Sequence, residues 1–120
     1  MCVIIFLHIT MKVFQVNDVL YIMGNDAKEN WRLLEEAKED DIWVHLNGYP
    51  SSYVIIKNIN RDSKLNMEAI VYAGQLCKHY SKHKHIKNMK MCYLEAKYVS
   101  KGKITGQAKC LKEPNIKMIR

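Results

Sequence analysis

The sequence contains no motif of a known catalytic site. It has no Gly-x-Ser-x-Gly elbow, no His-Glu-x-x-His pair, no phosphate-binding glycine loop and no cysteine–histidine pairing. Its acidic cluster (35–41) has the spacing of a helix end with a solvated face, and not that of two carboxylates paired for acid–base chemistry. The sequence therefore predicts a protein that is not an enzyme, with no catalytic residue and no cofactor.

The sequence also lacks paired cysteines and a metal-ligand set. The four cysteines lie far apart, at Cys2, Cys77, Cys92 and Cys110. Without a CxxC pair or a secretory leader, they are typical of reduced thiols in a cytoplasmic protein. His79, His83 and His85 stand among lysines, which oppose a bound cation, and no nearby cysteine or carboxylate completes a ligand set. We predict no metal site.

Long apolar runs are absent as well. Met1–Thr10 (MCVIIFLHIT) is apolar, but it is too short to span a bilayer and has no basic start. We therefore expect no integral membrane association. Residues 1–12 are predicted to be a peripheral extension or an extra strand, and Met11 is an alternative start. With no repeat, low-complexity tract or linker, residues 13–120 are predicted to form a single domain.

Positive charge is abundant and unevenly placed. Residues 1–60 carry five basic and eight acidic side chains, whereas residues 61–120 carry fourteen basic and four acidic ones, which gives the net charge of +7. This segregation predicts one strongly positive face and a polyanionic partner, either nucleic acid or an anionic surface. The alternative is a lysine-rich, solvated surface without a binding role.

Local patterns predict a hairpin followed by a capped helix. Val13–Met23 is typical of two strands around an Asn17-Asp18 turn. Asp26, with Glu29 three residues later, predicts a helix that extends to about Lys38. Four residues form its predicted buried stripe: Trp31, Leu33, Leu34 and Ala37.

The rest of the chain predicts further strands and a second helix. Asp41–Leu46 alternates so that one strand face carries Ile42, Val44 and Leu46, and the other carries Asp41, Trp43 and His45. Later predicted elements are a strand at Ser52–Ile59, a polar loop at Asn60–Asn66, a helix at Met67–Tyr80, and closing strands at Met89–Lys101, Ile104–Leu111 and Asn115–Arg120. The helix would bury Ile70, Ala73, Leu76 and Cys77. The predicted fold is α+β, a single domain with a mostly antiparallel sheet covered by two helices.

Three pieces of sequence occur in a distinctive order. They are Gly24-Asn25 with Asn30, then Asp41-Ile42-Trp43-Val44-His45, then Pro50-Ser51-Ser52-Tyr53-Val54. Together they resemble the NFACT-R domain, the RNA-binding domain of the NFACT proteins that serve ribosome-associated quality control. Two later pieces are also similar: the helix end at Tyr80-Ser81, and a strand with Lys97, Val99 and Lys101. The resemblance runs from about Val13 onward, and it implies binding of RNA, with transfer RNA or the ribosome as its context, and no catalysis.

The sequence departs from this family at one position. The family commonly has histidine where this chain has Tyr53. We therefore do not expect a role that requires an imidazole at this position. We do expect that the tyrosine can stack or form a hydrogen bond. The domains that flank the module in full-length NFACT proteins are not among these 120 residues, and neither is a coiled coil. Functions that depend on those parts are not carried over.

The strand face of Trp43 and His45 is the first candidate for RNA contact. Trp43 would stack on a base or ribose, and His45 would donate to a phosphate or a base edge. Small residues in the adjacent turn, Ser51 and Ser52, would allow close approach to a ligand, and Tyr53 completes the group. The structural alternative is equally weighted: Asp41 orients His45, and Trp43 fills the core.

The basic stretch of residues 78–90 is the second candidate. Its lysines would contact phosphates without reading sequence, and those assigned to the site are Lys78, Lys82, Lys84 and Lys87. Lys97 and Lys101 join them through the family resemblance. The alternative is a mobile, solvated loop. Gly24-Asn25-Asp26 is predicted to cap the first helix and not to bind an anion, because Asp26 would repel phosphate.

These observations leave three hypotheses of function. The leading one is a non-catalytic module that binds RNA, either tRNA or rRNA, in the context of the ribosome. The second is a protein-interaction module that docks on a ribosomal or other ribonucleoprotein surface. The third is a sensor of DNA or of anionic membranes that uses the same lysines.

Overall fold

Nine β-strands, two α-helices and one short 3-10 helix form in the part of the chain that the structure describes. This structure is a computed structural model, and it describes the backbone of residues 3–7 and the whole of residues 11–57 and 66–120. In chain order the elements are β1 (Val3–Leu7), β2 (Met11–Val16), β3 (Val19–Met23), α1 (Ala27–Glu36), β4 (Ile42–Leu46), β5 (Val54–Lys57), α2 (Met67–His79), β6 (Met89–Glu95), η1 (Ala96–Tyr98), β7 (Val99–Lys101), β8 (Ala108–Cys110) and β9 (Asn115–Ile119).

Seven of the strands form one antiparallel sheet, in the order β1-β2-β3-β5-β4-β6-β9. The turn between β2 and β3 consists of Asn17 and Asp18, whose φ angles are 49° and 66°. Asparagine and aspartate adopt this left-handed conformation more readily than most residues, and two such residues match the twist of a tight hairpin. The predicted hairpin around this turn is confirmed.

The N-terminal segment contributes an edge strand. Val3–Leu7 pairs with β2 in an antiparallel register that sets Val3 opposite Gln15 and Leu7 opposite Met11. The division of the chain at residue 12 stays a prediction. The strand predicted at Ser52–Ile59 is present as Val54–Lys57. Its last two predicted residues, and the predicted polar loop up to residue 65, lie outside the described residues.

The first helix begins where the sequence predicted. The Asp26 Oδ1 atom accepts from the Glu29 N–H at 2.9 Å, and the Glu29 Oε1 atom accepts from the Asn25 N–H at 2.7 Å, so the capping arrangement is confirmed. The helix ends at Glu36, two residues before its predicted end. Its burial differs from the prediction: Leu33 is buried, Trp31, Leu34 and Ala37 are half-buried, and the polar Glu29 and Asn30 are buried.

The second helix agrees with the prediction. It runs from Met67 to His79, and the Asn66 Oδ1 atom caps it by accepting from the Ala69 N–H at 2.9 Å. The four residues predicted to face the core are all buried: Ile70, Ala73, Leu76 and Cys77.

The two helices cover opposite faces of the sheet. Alternate residues of β4 point to opposite sides, so Val44 and Leu46 join the core beneath α2, whereas Trp43 joins a second core on the side of α1. The second core also contains Leu33 of α1 and Val99 of β7. The predicted α+β fold, with two helices covering an antiparallel sheet, is confirmed.

The segment after β6 differs from the prediction of two closing strands of the main sheet. β6 ends at Glu95, where the chain enters the η1 turn. Ala96 donates to the carbonyl of Asp41 at 2.8 Å, and Lys97 donates to that of Glu39 at 3.2 Å. After the η1 turn, β7 and β8 pair with each other as a separate hairpin. This hairpin packs on the same side of the sheet as α1.

Candidate nucleic-acid interface

A cleft opens at the end of the sheet where β4 finishes and β5 begins. Its volume is about 690 Å³. Four segments form its walls: the start of α1 (25–27 and Asn30), the β4–β5 loop (50–53), the end of α2 with the turn after it (80–83), and the turn of the β7–β8 hairpin (105–108). Trp43 and His45 of β4 complete the lining. All three pieces of sequence that carry the family resemblance thus meet at one place.

Trp43 is a buried part of this lining. Its side chain is only 3% exposed and belongs to the core on the side of α1. Its ring lies 5.4 Å from that of Tyr53, edge to face, and 5.8 Å from that of His45. Among the described residues, the Trp43 Nε1 atom is the one buried side-chain nitrogen or oxygen without a hydrogen-bond partner. Burial favours the core-packing alternative for Trp43 over stacking at an exposed surface.

His45 is half-buried beside Trp43 and is uncharged at neutral pH. Burial lowers the pKa of its imidazole to about 4, and a hydrogen bond involving the Ser51 backbone opposes this shift only in part. A neutral imidazole donates through one ring nitrogen and accepts through the other. His45 can therefore read a hydrogen-bonding edge, but it brings no positive charge to a phosphate. Asp41 does not orient it, because four residues of extended chain, about 13 Å, separate them; Asp41 pairs with Lys57 instead.

The backbone of Tyr53 is held by the segment at the start of α1. Its N–H donates to the Asn30 Oδ1 atom at 3.0 Å, and its carbonyl accepts from the Gly24 N–H at 3.3 Å. A side chain at position 24 would place its Cβ atom 2.7 Å from the Asn30 Oδ1 atom, so glycine is needed there. The glycine and the second asparagine of the family-like motif therefore fix the β4–β5 loop.

The side chain of Tyr53 crosses to the β7–β8 hairpin. Its hydroxyl donates to the Gly106 carbonyl at 2.5 Å, and burial raises the pKa of this hydroxyl to about 12. Gly106 has a φ of 89° and lies so close to Ala27 that a Cβ atom would come within 2.6 Å of the Ala27 Cβ atom. Tyr53 thus ties two walls of the cleft together.

Ser51 and Ser52 are the small turn residues that were predicted to lie near a ligand, and both line the cleft beside Tyr53. The Ser51 hydroxyl accepts from the Leu46 N–H at 3.4 Å and donates to the Ser52 carbonyl at 3.3 Å. Both serines are half-buried. They shape the loop and leave room for a ligand to approach its backbone.

Tyr80 is the exposed aromatic residue of the cleft. It is 41% exposed, and it follows directly after α2. The Lys12 Nζ atom lies 4.0 Å from the centre of its ring. Next to it, Lys82 lines the cleft and is exposed, and the His83 ring packs at a tilt against the Tyr49 ring, with ring centres 4.8 Å apart. This side of the cleft joins an aromatic surface to the basic turn.

The structure brings together some of the predicted RNA-binding residues and separates others. Those that line the cleft are Trp43, His45, Ser51, Ser52, Tyr53 and Lys82. Lys84 and Lys87 are exposed on the same turn as Lys82, whereas Lys78 is only 7% exposed. Lys97 and Lys101 lie near the hairpin and pair with the carboxylates of Glu95 at 3.6 Å and Glu35 at 2.6 Å.

Several cleft residues received no binding role from the sequence. Asn30 and Tyr80 belong to pieces that carry the family resemblance, so the signal was present, but no contact distinguished them from structural residues. The hairpin turn of residues 105–108 carried no signal at all. It reaches the cleft only because the chain leaves the sheet after β6.

The three cysteines within the described residues, Cys77, Cys92 and Cys110, are free thiols whose pKa is raised by burial. Cys77 and Cys92 are buried, and burial raises the pKa of both thiols, that of Cys92 to about 11. A thiol with a raised pKa is a poor nucleophile and a poor metal ligand. No group of three metal-binding side chains occurs within residues 11–57 and 66–120, and no helix there has the length and apolar character needed to cross a membrane.

The fold and the cleft define a small α+β binding domain, and comparison with known proteins identifies its family. The family described as the NFACT protein RNA binding domain matches residues 5–112. The Rqc2 homolog RqcH of Bacillus subtilis (strain 168) is 30% identical over 81 residues, which cover 67% of this chain and 14% of that protein. The chain belongs to the NFACT RNA-binding domain family, as the resemblance predicted.

A solved structure has the same fold. The C-terminal part of the fibronectin/fibrinogen-binding protein from Streptococcus suis superposes with a TM-score of 0.78 at 22% sequence identity. The match covers 96% of this chain and 47% of that one, and at this identity it shows the fold alone. The chain thus spans only a part of the length of the proteins that it matches.

Proposed function

We propose that this domain binds RNA through the cleft and the basic turn of residues 81–88, and that its target is transfer RNA or ribosomal RNA. Membership of an RNA-binding family supports RNA as the partner. The similarity to NFACT proteins, which act in ribosome-associated quality control, supports the ribosomal context. The domain acts by attraction and contact, without catalysis.

The observation that carries the proposal is the position of the basic turn beside the cleft. Lys82 lines the cleft, and Lys84 and Lys87 are exposed on the same turn. Lysines placed in this way neutralise phosphates and release counterions, which supplies affinity without reading sequence. The cleft beside these lysines contains polar and aromatic side chains, and proteins use such groups to contact RNA bases.

Lys97 and Lys101 are available for additional phosphate contacts. Each is exposed and pairs with an exposed carboxylate, and pairs of this kind contribute about 0–1 kcal/mol. A phosphate can therefore replace either carboxylate at small cost. Lys78 is the least accessible of the predicted lysines, so we assign it the smallest share of the binding.

Binding of the purified chain to labelled transfer RNA and to fragments of ribosomal RNA tests the proposal. The logarithm of the affinity should fall linearly with the logarithm of the salt concentration. An affinity that does not depend on salt would remove the electrostatic basis of the proposal. Association with intact ribosomes but not with isolated RNA would favour docking on a protein surface instead. Equal competition by DNA or by anionic liposomes would show that RNA is not the preferred partner.

A further inference from the structure

The lining of the cleft points to a particular part of the RNA. We infer that the cleft takes one unstacked nucleoside of single-stranded RNA, with its base inside, while the neighbouring phosphates lie against the turn of residues 81–88. This inference rests on the proposed function, and it adds which chemical group enters the cleft and which stays outside.

The distribution of charge excludes phosphate from the interior. The residues that line the cleft include one carboxylate, Asp26, and one lysine, Lys82, and the imidazole of His45 is uncharged at neutral pH because its pKa is lowered. The rest of the lining consists of amides, hydroxyls, small residues and aromatic rings. A phosphate, whether monoanionic or dianionic, would gain little electrostatic attraction from such a lining. An uncharged base has donors and acceptors on its edges that can pair with the amides and hydroxyls of the lining.

The positive charge lies directly outside. Lys84 and Lys87 are exposed on the turn whose first residues form the wall of the cleft. The Lys12 Nζ atom lies over the Tyr80 ring, 4.0 Å from its centre. An RNA strand with one base in the cleft would have the phosphates on either side of that base next to these lysines.

Tyr80 provides a stacking surface at the mouth of the cleft. Its ring is 41% exposed, whereas Trp43 and Tyr53 are 3% and 4% exposed. Stacking on an aromatic side chain accepts any base, because every base has a π-face. We therefore assign to Tyr80 the stacking role that was predicted for Trp43.

Trp43 contributes a hydrogen-bond donor to the lining of the cleft. Its Nε1 atom is buried and has no partner among the described residues, and its ring contacts that of His45 in the lining. A buried donor without a partner is costly, so an entering group that supplies an acceptor is favoured beyond its contact area. Base carbonyls and ring nitrogens are such acceptors.

The size of the cleft agrees with a single nucleoside. Small-ligand pockets are usually about 300–1,000 Å³, and this cleft has about 690 Å³. A double helix presents no unstacked base and cannot enter. Single-stranded loops and ends of RNA do present such bases.

Nuclear magnetic resonance of the indole N–H groups tests the inference directly. The chain has two tryptophans: Trp43 lines the cleft, and the Trp31 Nε1 atom donates to the carbonyl of Gln107 in the cleft wall at 2.8 Å, so the two indole signals must be assigned separately. Trp31→Phe assigns the two signals. The probes are a single-stranded RNA of roughly eight nucleotides, the same strand in a duplex, and inorganic polyphosphate of equal charge. We expect the single strand to shift the Trp43 indole signal, and polyphosphate and duplex to shift only the backbone signals of residues 81–88.

Affinity measurements on a pair of tyrosine variants complete the test. Tyr80→Ala should weaken binding of the single strand roughly 5- to 100-fold, Tyr80→Phe should retain it, and neither should change binding of polyphosphate. Tyr98→Ala is the matched control, because lysines also lie over the Tyr98 ring but this residue does not line the cleft. If the single strand binds while the Trp43 signal and the Tyr80→Ala affinity stay unchanged, the inference is overturned and the proposed function stands. If neither RNA nor polyphosphate binds, the proposed function fails, and the inference fails with it.

Discussion

The Asn30 Oδ1 atom accepts a hydrogen bond from the backbone N–H of Tyr53 at 3.0 Å and so connects α1 to the residue just before β5. The bond is buried and joins residues that lie 23 positions apart in the sequence. Tyr53 in turn reaches Gly106 through its hydroxyl. A chain of two hydrogen bonds therefore connects three of the four walls of the cleft.

Asn30→Ala should destabilise the domain. It leaves the buried N–H of Tyr53 without its partner, which costs about 1–3 kcal/mol of the free energy of unfolding. Urea denaturation measures the change. Asn115→Ala is the control: its exposed amide donates to the Tyr93 carbonyl at 3.4 Å, and its loss should change stability by less than about 0.5 kcal/mol. Equal effects of the two substitutions would contradict a special role for Asn30.

Tyr53→Phe should loosen the β7–β8 hairpin more than it destabilises the whole domain. The variant keeps the ring in the core but removes the donor to Gly106, at a cost of about 0.5–1.5 kcal/mol. Hydrogen exchange should become faster at residues 102–107. Tyr53→His should show the same loss, because an imidazole is shorter than a phenol and does not reach this carbonyl. Unchanged protection in both variants would show that the hydroxyl does not hold the hairpin.

Trp43→Ala and Trp43→Phe should differ strongly in stability. Removal of a buried indole by alanine costs roughly 3–5 kcal/mol. Phenylalanine fills most of the space and removes a donor that has no partner, so its cost should be much smaller. Chemical denaturation and RNA affinity should be measured on the same preparations. A stable Trp43→Ala variant would contradict the assignment of Trp43 to the core.

Replacing Lys82, Lys84 and Lys87 with alanine should weaken binding to all RNA sequences. The loss of three phosphate contacts should reduce the slope of log affinity against log salt by roughly two. The melting temperature should change little, because all three lysines are exposed. The control removes the same charge elsewhere, at Lys103, Lys109 and Lys117, which are also exposed. A loss of affinity that is equal in both triple variants would mean that only net charge matters.

Stability should fall as the pH decreases from about 6.5 to about 4, in part because of His45. The pKa of His45 is about 4 in the folded chain and 6.5 for an unperturbed imidazole, so below pH 6.5 the unfolded chain takes up a proton that the folded chain does not. One such proton gives a slope of up to about 1.4 kcal/mol per pH unit. Urea denaturation across this range should show a smaller slope for His45→Gln than for the exposed control His85→Gln. Identical slopes would show that His45 is not buried in a neutral form.

Much of the fold could be predicted because local rules and tertiary packing agree. The turn at Asn17-Asp18 has the residues that its dihedral angles require, and Asp26 has a side chain that caps a helix. The alternation along β4 determined which face each residue joins. In all three cases the relevant partners lie within a few residues of each other in the sequence.

The predictions were wrong or incomplete where partners are distant. The chain leaves the main sheet after β6, and there Ala96 and Lys97 donate to carbonyls more than fifty residues earlier. The periodic pattern predicts that Trp31 lies in a buried stripe, but its indole N–H donates to the Gln107 carbonyl and the residue stays half-buried. A periodic pattern reports which residues share a face, and it does not report what later covers that face.

The position of the β7–β8 hairpin determines which fragments of this domain can form the cleft. Because residues 105–108 form one wall of the cleft and residues 25–30 form another, the cleft exists only when nearly the whole chain has been made and folded. During synthesis, residues 25–30 would leave the ribosome long before residues 105–108, which complete the cleft. Peptides or truncated chains that end before residue 99 would keep their lysines at 82–87 and their attraction for phosphate, and they would lose any preference for an unstacked base.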